Sequence, residues 1–434
     1  MAGLSPRAER PGGRGDRPPQ AGDRPHPGGG PAVKIRREFI EKIPKTDLHL
    51  HLDGSLRIPT LVELARENGV KLPAWDETTL RRRVFKDAYA DLPEYLKGFA
   101  YTTAVLQTPQ ALERVGCELA RDNQAEGVRY IEVRFAPQLH QNARMSCIDV
   151  MAALDRGLSL AKREFNARAE VKRGSEPPFE YGIIACAMRM FDRGFSEYFD
   201  NLLAVHAHSE RKWVFSLASM ELVRAAVEAR DKFGLPIVGF DLAGAEAGYP
   251  AGDHAPAYAL AHRHFLKKTV HAGEAYGPES IFQAITDLHA DRLGHAVYLF
   301  DAGMIKSPEI RDKKAYIANL VQFIADRRIT IEVCLTSNLQ TIPAIRDLAR
   351  HSFRHMRKAK LSATFCTDNR TVSQTTVSDE IIKAVQAFHI TPKELKNFVI
   401  YGFKRSFFPG SYLKKREYVH QVIEYYEKIE KEFS

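Results

Sequence analysis

Two histidines separated by one residue, His49 and His51, form the most suggestive chemical motif of this chain. They lie in the run DLHLHLDGS, residues 47–55. Side chains alternate faces along a β-strand, so both imidazoles point to the same side. Two imidazoles on one face of a buried strand supply half of a metal site. So short a motif is often a chance pair of histidines, and its interpretation depends on the rest of the chain.

Three more groups of polar residues follow short apolar, β-prone runs further along the chain. His271 and Glu274 lie in HAGE, His295 ends LGH, and Asp368 and Asn369 lie in TDN. Each group therefore falls at the C-terminal end of a predicted strand. Residues at such positions can converge on one end of a parallel sheet.

Three imidazoles and one carboxylate from these motifs form a ligand set that suits Zn²⁺, which prefers nitrogen with some oxygen. Zinc bound by such a set can also take a water, which loses a proton near neutral pH and becomes a nucleophile. We expect the metal ligands to be His49, His51, His271 and Asp368.

Glu274 and His295 occupy positions that favour proton transfer. Glu274 follows the predicted fifth strand in a loop, and His295 ends the next strand. Carboxyl and imidazole groups placed there can hold or deliver protons. The structural alternatives are that Glu274 is an acid near the N-terminus of a helix beginning at Pro278, and that His295 is a buried, hydrogen-bonded histidine. A metal site beside them favours the catalytic interpretation of both.

Short β-like runs alternate with longer helical patterns from residue 40 onward. Eight strands separated by helices indicate a (β/α)8 barrel, in which catalytic residues gather at the C-terminal strand ends. A doubly wound sheet is the alternative, but no G-x-G-x-x-G turn follows the first strand. A charged, amphipathic last helix, residues 413–433, is expected to pack outside the barrel. The predicted strands are residues 45–49, 128–135, 181–187, 237–242, 268–271, 292–293, 329–335 and 361–367, and helices are predicted at 108–126, 219–233 and 278–288.

Composition excludes several classes of protein. No apolar run is long enough to span a bilayer, so no membrane association is expected. The net charge of +9 is spread along 434 residues, which does not indicate nucleic-acid binding. Five scattered cysteines without C-x-x-C spacing favour a reducing compartment, so we expect a cytoplasmic protein without disulfides.

The first 33 residues differ from the rest of the chain. They are rich in Pro, Gly and Arg and have almost no aromatic or β-branched residues. Such a segment cannot bury enough apolar surface to offset its ordering entropy. We therefore predict a disordered tail, residues 1–33, followed by a single domain, residues 34–434, that includes the C-terminal helix.

In their order along the chain, HLHLDGS, HAGE, LGH and TDN resemble the adenosine deaminase family of the amidohydrolase superfamily. The resemblance covers about residues 40–405, apart from an insertion around residues 195–215. It implies a barrel with further helices over its C-terminal mouth and one Zn²⁺ per chain. It also implies hydrolytic deamination of adenosine and 2′-deoxyadenosine, giving the inosine product and ammonia.

The resemblance also assigns roles to the residues of these motifs. The proton donor to the purine N1 falls on Glu274 and the water-orienting histidine on His295, while Asp368 helps to accept or orient the water proton. The family's metal ligands fall on His49, His51, His271 and Asp368.

Residues that contact substrate are implied by the same resemblance. Asp53 matches the residue that holds the ribose 5′-hydroxyl, and Gly244 of DLAG matches a glycine whose backbone contacts the purine. His51 is expected to lie against the substrate as well as the metal. Residues 92–99, LPEYLKGF, resemble a hydrophobic lid helix.

Asn369 departs from the usual form of the family pattern. Many members carry a second aspartate after the metal ligand, which must be protonated to donate a hydrogen bond to purine N7. An asparagine amide donates at any pH. Asn369 is therefore still expected to bind the substrate.

The substrate expected from these residues is a small-molecule purine nucleoside, and the oligomeric state stays open. Asp53 accepts a hydrogen bond from a hydroxyl but repels a phosphate, which favours adenosine over AMP. The alternatives are aminofutalosine, adenine or an N6-substituted adenylate as substrate, or a non-catalytic homologue. A cytidine-type zinc deaminase is excluded because the chain has no P-C-x-x-C motif.

Deletion of residues 1–33 should leave folding and catalysis essentially unchanged, because no patterned apolar residue in this segment is available to pack on the barrel. Thermal unfolding and turnover of the truncated and full-length proteins check this expectation. A large drop in melting temperature or turnover on truncation would show that the tail docks on the domain.

Overall fold

Eight parallel strands form the centre of the protein in this computed structural model, which describes residues 35–345 and 347–433. Each strand pairs with the next one along the chain, in the order β1 to β8. This order confirms the predicted (β/α)8 barrel. The strands are β1 Lys45–His51, β2 Val128–Phe135, β3 Glu180–Met188, β4 Ile237–Ala243, β5 Lys267–Ala272, β6 Arg292–His295, β7 Thr330–Val333 and β8 Ala363–Phe365.

The barrel closes between its first and last strands through residues of the candidate site. The Asp368 N–H donates to the His49 carbonyl at 2.8 Å, and the His51 N–H donates to the Asp368 carbonyl at 2.8 Å. A parallel bridge pairs Leu50 with Asp368. The same contacts therefore close the barrel and place the side chains of His49, His51 and Asp368.

Four strands differ from their predicted ranges by two or more residues at one end. β1 extends beyond the predicted 45–49 to His51, and β7 is Thr330–Val333 instead of 329–335. The predicted eighth strand, residues 361–367, is shortened to Ala363–Phe365, where the chain pairs with β7. The predicted sixth strand, residues 292–293, extends to His295 because Gly294 and His295 continue the ladder with β5.

Helices cover the barrel and connect its strands. The predicted helices at 108–126 and 278–288 are present within a few residues, whereas the one at 219–233 begins earlier because Val214 and Phe215 are buried in its first turns. The α-helices are α1 Arg37–Lys42, α2 Ile58–Glu67, α3 Glu77–Arg83, α4 Leu92–Leu96, α5 Phe99–Val105, α6 Pro109–Ala125, α7 Cys147–Asn166, α8 Ala169–Lys172, α9 Glu197–Val205, α10 Arg211–Asp231, α11 Ala255–Arg263, α12 Pro278–Thr286, α13 Lys313–Arg327, α14 Leu335–Thr341, α15 Phe353–Lys358, α16 Val377–Phe388, α17 Pro392–Arg405 and α18 Tyr412–Phe433.

The last helix packs outside the barrel, as predicted. Tyr418, Val422 and Tyr426 of α18 are buried at helical spacing. The Tyr418 hydroxyl donates to the Arg129 carbonyl at 2.6 Å, at the N-terminal end of the barrel. No helix of the described residues is long and apolar enough to cross a membrane. The predicted disordered tail lies outside the described residues.

Helices α6 and α7 pack closely because Gly157 has no side chain. A Cβ at Gly157 would lie 2.0 Å from the Glu113 carbonyl oxygen and 2.9 Å from the Cys117 nitrogen. Both atoms belong to the α6 backbone, which cannot move without shifting the whole helix. Gly157 therefore allows the two helices to approach closely at this point.

The variant Gly157→Ala should lower the free energy of unfolding by about 1–3 kcal/mol, the usual cost of overpacking a well-packed interface. Gly98→Ala is the matched control, because a Cβ there would meet its nearest atom at an ordinary 3.5 Å. Denaturant unfolding of both variants measures the difference. Equal stability of the two variants would contradict this account of the contact.

Candidate active site

The C-terminal ends of β1, β5 and β8 bring the four predicted metal ligands together. The Nε2 atoms of His51 and His271 lie 3.1 Å apart. Asp368 Oδ1 lies 3.5 Å from the Nε2 atoms of both His49 and His51. All four residues are buried or nearly so, and they face one point in the barrel mouth.

Carboxylates beneath the mouth orient two of these imidazoles. His49 Nδ1 lies 2.8 Å from Glu332 Oε2, and His271 Nδ1 lies 3.1 Å from Asp241 Oδ2. Because a carboxylate only accepts, each Nδ1 carries the proton and each Nε2 keeps its lone pair. His49 Nε2 is buried and makes no hydrogen bond with the described residues. This donor set and this orphaned lone pair fit a metal ion.

His295 also lies close to this point but presents a different atom. Ligand-type atoms of His49, His271, His295 and Asp368 all lie within 4.8 Å of one another. Proximity alone would therefore allow His295 as a metal ligand. Its hydrogen bonds decide otherwise.

A chain of hydrogen bonds fixes the tautomer of His295. The Phe353 N–H donates to His351 Nδ1 at 3.1 Å, so His351 Nε2 donates to Asn338 Oδ1 at 3.3 Å. The Asn338 amide then donates to His295 Nδ1 at 3.1 Å. His295 must carry its proton on Nε2, which makes this atom a donor rather than a ligand.

The Nε2–H of His295 faces Glu274, whose Oε1 lies 3.8 Å away. Burial, together with the charges of Asp368 and Glu246, raises the pKa of Glu274 to about 8. The carboxyl is therefore protonated at neutral pH and can donate a proton. Burial also holds the pKa of His295 well below its ordinary value, so this imidazole stays neutral.

Two of these residues have left-handed backbone conformations that are unusual for side chains with a Cβ. Asp368 has a φ of 63° and His295 a φ of 64°. Such conformations cost on the order of 1–3 kcal/mol each and persist where the surrounding structure holds them. Here they turn the chain sharply at the strand ends, where both side chains enter the mouth.

Asp53 and Gly244 lie at the same end of the barrel. Asp53 follows β1, is 5% exposed and has an Oδ1 atom without a hydrogen-bond partner among the described residues. Burial raises the pKa of Asp53 to about 6, which leaves it mostly ionised at neutral pH. Gly244 directly follows β4 with a φ of 100°, a conformation that favours glycine.

Asn369 connects the metal-ligand cluster to the predicted lid. Its Nδ2 donates to Asp368 Oδ1 at 2.7 Å and to the Tyr95 hydroxyl at 2.8 Å. Its Oδ1 packs so closely on Gly54 that a Cβ there would lie 1.8 Å away. The predicted lid, residues 92–99, forms α4 and the first residue of α5. Tyr95 of α4 also hydrogen-bonds Ser373 Oγ at 2.8 Å, which ties the lid to the mouth.

Several residues that support the site were not singled out by the sequence. Glu332 interrupts the apolar strand β7, and a charge in a buried strand is a signal that could have identified it. Asn338 follows the same strand within TSN, the position at which polar motifs were recognised elsewhere. His351 carries no such signal, because it reaches His295 only through Asn338, a contact that the folded chain creates.

Comparison with known proteins identifies the family of the chain. The model of the adenosine deaminase family matches residues 44–425. The chain belongs to the adenosine deaminase family. An adenosine deaminase from Mycobacteroides abscessus is 38% identical over 373 residues, covering 85% of this chain and 92% of that protein. This confirms the resemblance carried by the four motifs.

Solved structures share the fold of this adenosine deaminase family member. An amidohydrolase from Burkholderia ambifaria with bound Zn has a TM-score of 0.73 at 21% identity, covering 92% of this chain and 96% of that one. Arabidopsis ADAL complexed with IMP has a TM-score of 0.67 at 25% identity, covering 90% of this chain and 99% of that one.

The variant Glu274→Gln should lose turnover by about 10²–10⁴-fold while it keeps its metal, because the amide retains the shape of the carboxyl but delivers no proton. Wild-type activity should fall as the pH rises through about 8, where Glu274 loses its proton. The variant should lack this alkaline limb. Ammonia release measured between pH 6 and 10, with metal analysis of both proteins, checks the expectation. Turnover within a few-fold of wild type would mean that another residue is the acid.

Proposed function

We propose that this protein is a zinc-dependent adenosine deaminase, which hydrolyses adenosine and 2′-deoxyadenosine to the inosine product and ammonia. The observation that carries the proposal is the arrangement of the barrel mouth. The Nε2 lone pairs of His49 and His271 converge with Asp368, beside a glutamic acid that is protonated at neutral pH. Membership of the adenosine deaminase family supports the same reaction.

One Zn²⁺ per chain is proposed, held by His49, His51, His271 and Asp368. Three neutral nitrogens and one carboxylate suit zinc better than the harder cations. When bound, zinc acts as a Lewis acid that lowers the pKa of water in the site. The Glu332 and Asp241 carboxylates behind the imidazoles keep these ligands oriented.

The side chains of the mouth divide the proton transfers among themselves. Glu274 protonates purine N1 as a water attacks C6, which removes the aromaticity that stabilises the substrate. His295 donates its Nε2–H to the attacking oxygen and thereby orients it. Asp368, which is acceptor-only, takes one water proton and helps to pass it to the departing ammonia. The second water proton, released as the C6 carbonyl forms, returns to Glu274. The buried mouth excludes other water and strengthens each of these interactions.

Asp53 and Gly244 are proposed to set the choice of substrate. The unpartnered Asp53 Oδ1 accepts a hydrogen bond from the ribose 5′-hydroxyl, and the backbone of Gly244 contacts the purine. A 5′-phosphate would meet the buried Asp53 carboxylate with like charge. The free nucleoside is therefore favoured over AMP.

The Asn369 side chain is proposed to bind the substrate, but its amide hydrogens are not free to do so. Both of its amide hydrogens are used by Asp368 and Tyr95 in the structure. Contact with purine N7 therefore requires one of these bonds to be exchanged for the substrate. His51, at the open side of the cluster, completes the proposed contacts. The free, buried state of all five cysteines agrees with the proposed cytoplasmic location.

The proposed function is tested by ammonia release with adenosine, 2′-deoxyadenosine, adenine, AMP and aminofutalosine, alongside metal analysis. Wild type should contain about one zinc per chain and should lose turnover when the metal is removed by chelation. Turnover by metal-free protein would overturn the zinc proposal. Preference for adenine, AMP or aminofutalosine would identify a different 6-aminopurine, and no turnover of any compound would indicate a non-catalytic homologue.

The variant Asp53→Asn should weaken the use of adenosine and narrow its advantage over AMP, since it removes charge repulsion but keeps a polar contact. Loss of a hydrogen bond to a charged acceptor costs about 1.5–3 kcal/mol, so kcat/KM for adenosine should fall roughly 10- to 100-fold. The ratio of kcat/KM values for adenosine and AMP is the measurement. A ratio that Asp53→Asn does not change would show that another residue discriminates the 5′ group.

A further inference from the structure

The carboxylate of Glu246 is surrounded by hydrogen-bond donors of residues 273–280, which include the end of the HAGE motif. Glu246 is 1% exposed and follows β4. It accepts five hydrogen bonds, from the backbone N–H groups of Gly273 (3.0 Å), Glu274 (3.0 Å), Ala275 (2.6 Å) and Tyr276 (3.0 Å) and from Ser280 Oγ (2.6 Å). Four successive backbone groups thus converge on one side chain.

These five bonds use both oxygens of the carboxylate. Oε1 takes the bonds from Gly273 and Ser280, and Oε2 takes the other three. Hydrogen bonds to a charged acceptor are stronger than neutral ones. The loop between β5 and α12 is therefore fixed mainly by Glu246, which lies in the loop after β4.

Glu274 depends on this loop for its direction. Its carboxyl makes no hydrogen bond with any residue that the structure describes, and it lies 3.8 Å from His295 Nε2. The position of the proton donor is therefore set by its backbone and by packing. That backbone is held by Glu246.

A buried arginine holds the other side of the same loop. Arg189 donates to the carbonyl of His271 and, at 2.9 Å, to the carbonyl of Tyr249. The chain from His271 to Tyr276 therefore lies between a buried cation that binds its first carbonyl and a buried anion that binds its later N–H groups. This arrangement fixes both the metal ligand and the proton donor.

Glu246 also lies two residues after Gly244, the proposed purine contact. The segment that touches the purine and the segment that delivers its proton are thereby joined through one side chain. A shift of either segment would change the distance between the proton donor and the purine ring. Placement errors of about 1 Å can reduce rates by 10²-fold.

We propose that Glu246 is the positioning residue of the reaction, which holds the Glu274 loop at the distance and direction needed to protonate the purine ring. This inference rests on the proposed deaminase function. It assigns Glu246 no contact with the substrate and no proton transfer of its own.

The first test is Glu246→Gln, compared with wild type and with Glu176→Gln. A glutamine at 246 has one acceptor oxygen, so at least two of the five donors face an amide nitrogen that cannot accept. Glu176 is likewise buried, but it binds Arg129 and Arg168 at the N-terminal end of the barrel. We expect kcat to fall about 10- to 100-fold in Glu246→Gln with zinc content unchanged. KM for adenosine should change less than about threefold. Glu176→Gln should keep the wild-type kcat.

The second test is a double-mutant cycle with Glu274→Gln. If Glu246 acts by positioning Glu274, then adding Glu246→Gln to Glu274→Gln should change kcat by less than about twofold. A residue that only stabilises the fold would lower kcat by the same factor in both backgrounds. Additive losses therefore overturn the proposal.

Other outcomes separate this inference from the proposed function. Wild-type turnover of adenosine combined with a Glu246→Gln kcat within about threefold of wild type would refute the positioning role alone. Loss of zinc in Glu246→Gln would also refute it, because the effect would then act through the metal site. Absence of adenosine turnover in the wild type would refute the proposed function instead.

Discussion

A layer of buried charges crosses the barrel directly beneath the candidate site, and the site depends on it. Glu332 accepts hydrogen bonds from Arg134 Nη2 at 2.8 Å and from Arg292 Nε at 2.6 Å, and it also orients His49. Arg134 binds Asp241 in the same way at 2.8 Å. Buried charges are costly unless every one is paired, and removing one partner leaves its neighbour uncompensated. The contacts that satisfy the arginines are thus the contacts that aim the imidazoles, and the site cannot relax without disrupting the barrel interior.

Local patterns made much of this architecture predictable. Alternation of short apolar runs with helices gave the order of eight strands, because parallel strands joined by helices pair with their sequence neighbours. The ends of the strands were predicted less accurately than their order. Gly294 and His295 continue β6 although a glycine is a poor strand former, and their pairing with β5 is a long-range effect that local propensity does not contain. Likewise, β8 ends at Phe365, three residues before the left-handed backbone conformation of Asp368.

The same contrast between local patterns and long-range contacts applies to the candidate site. The proposed ligands and the proposed proton donor could be named because they stand in compact motifs at strand ends. The residues that their supports contact could not be named, because Glu332, Asn338 and Glu246 act on residues that lie 27 or more positions away in the chain. The expected free amide of Asn369 also depended on distant residues, since Tyr95 in the lid occupies one of its hydrogens. A sequence shows which side chains can do chemistry more readily than it shows which atom of each will face the reaction.

That last distinction has a consequence at His295. The hydrogen bonds that run from Phe353 through His351 and Asn338 have a direction, which begins at a backbone N–H that can only donate. An aspartate at position 338 would have nearly the same shape as asparagine but would only accept, so the proton of His295 would move to Nδ1. Its Nε2 would then turn a lone pair toward the other imidazoles. The polarity of the Asn338 amide therefore sets how many imidazole lone pairs face the mouth as possible metal ligands. Asn338 itself touches neither metal nor substrate.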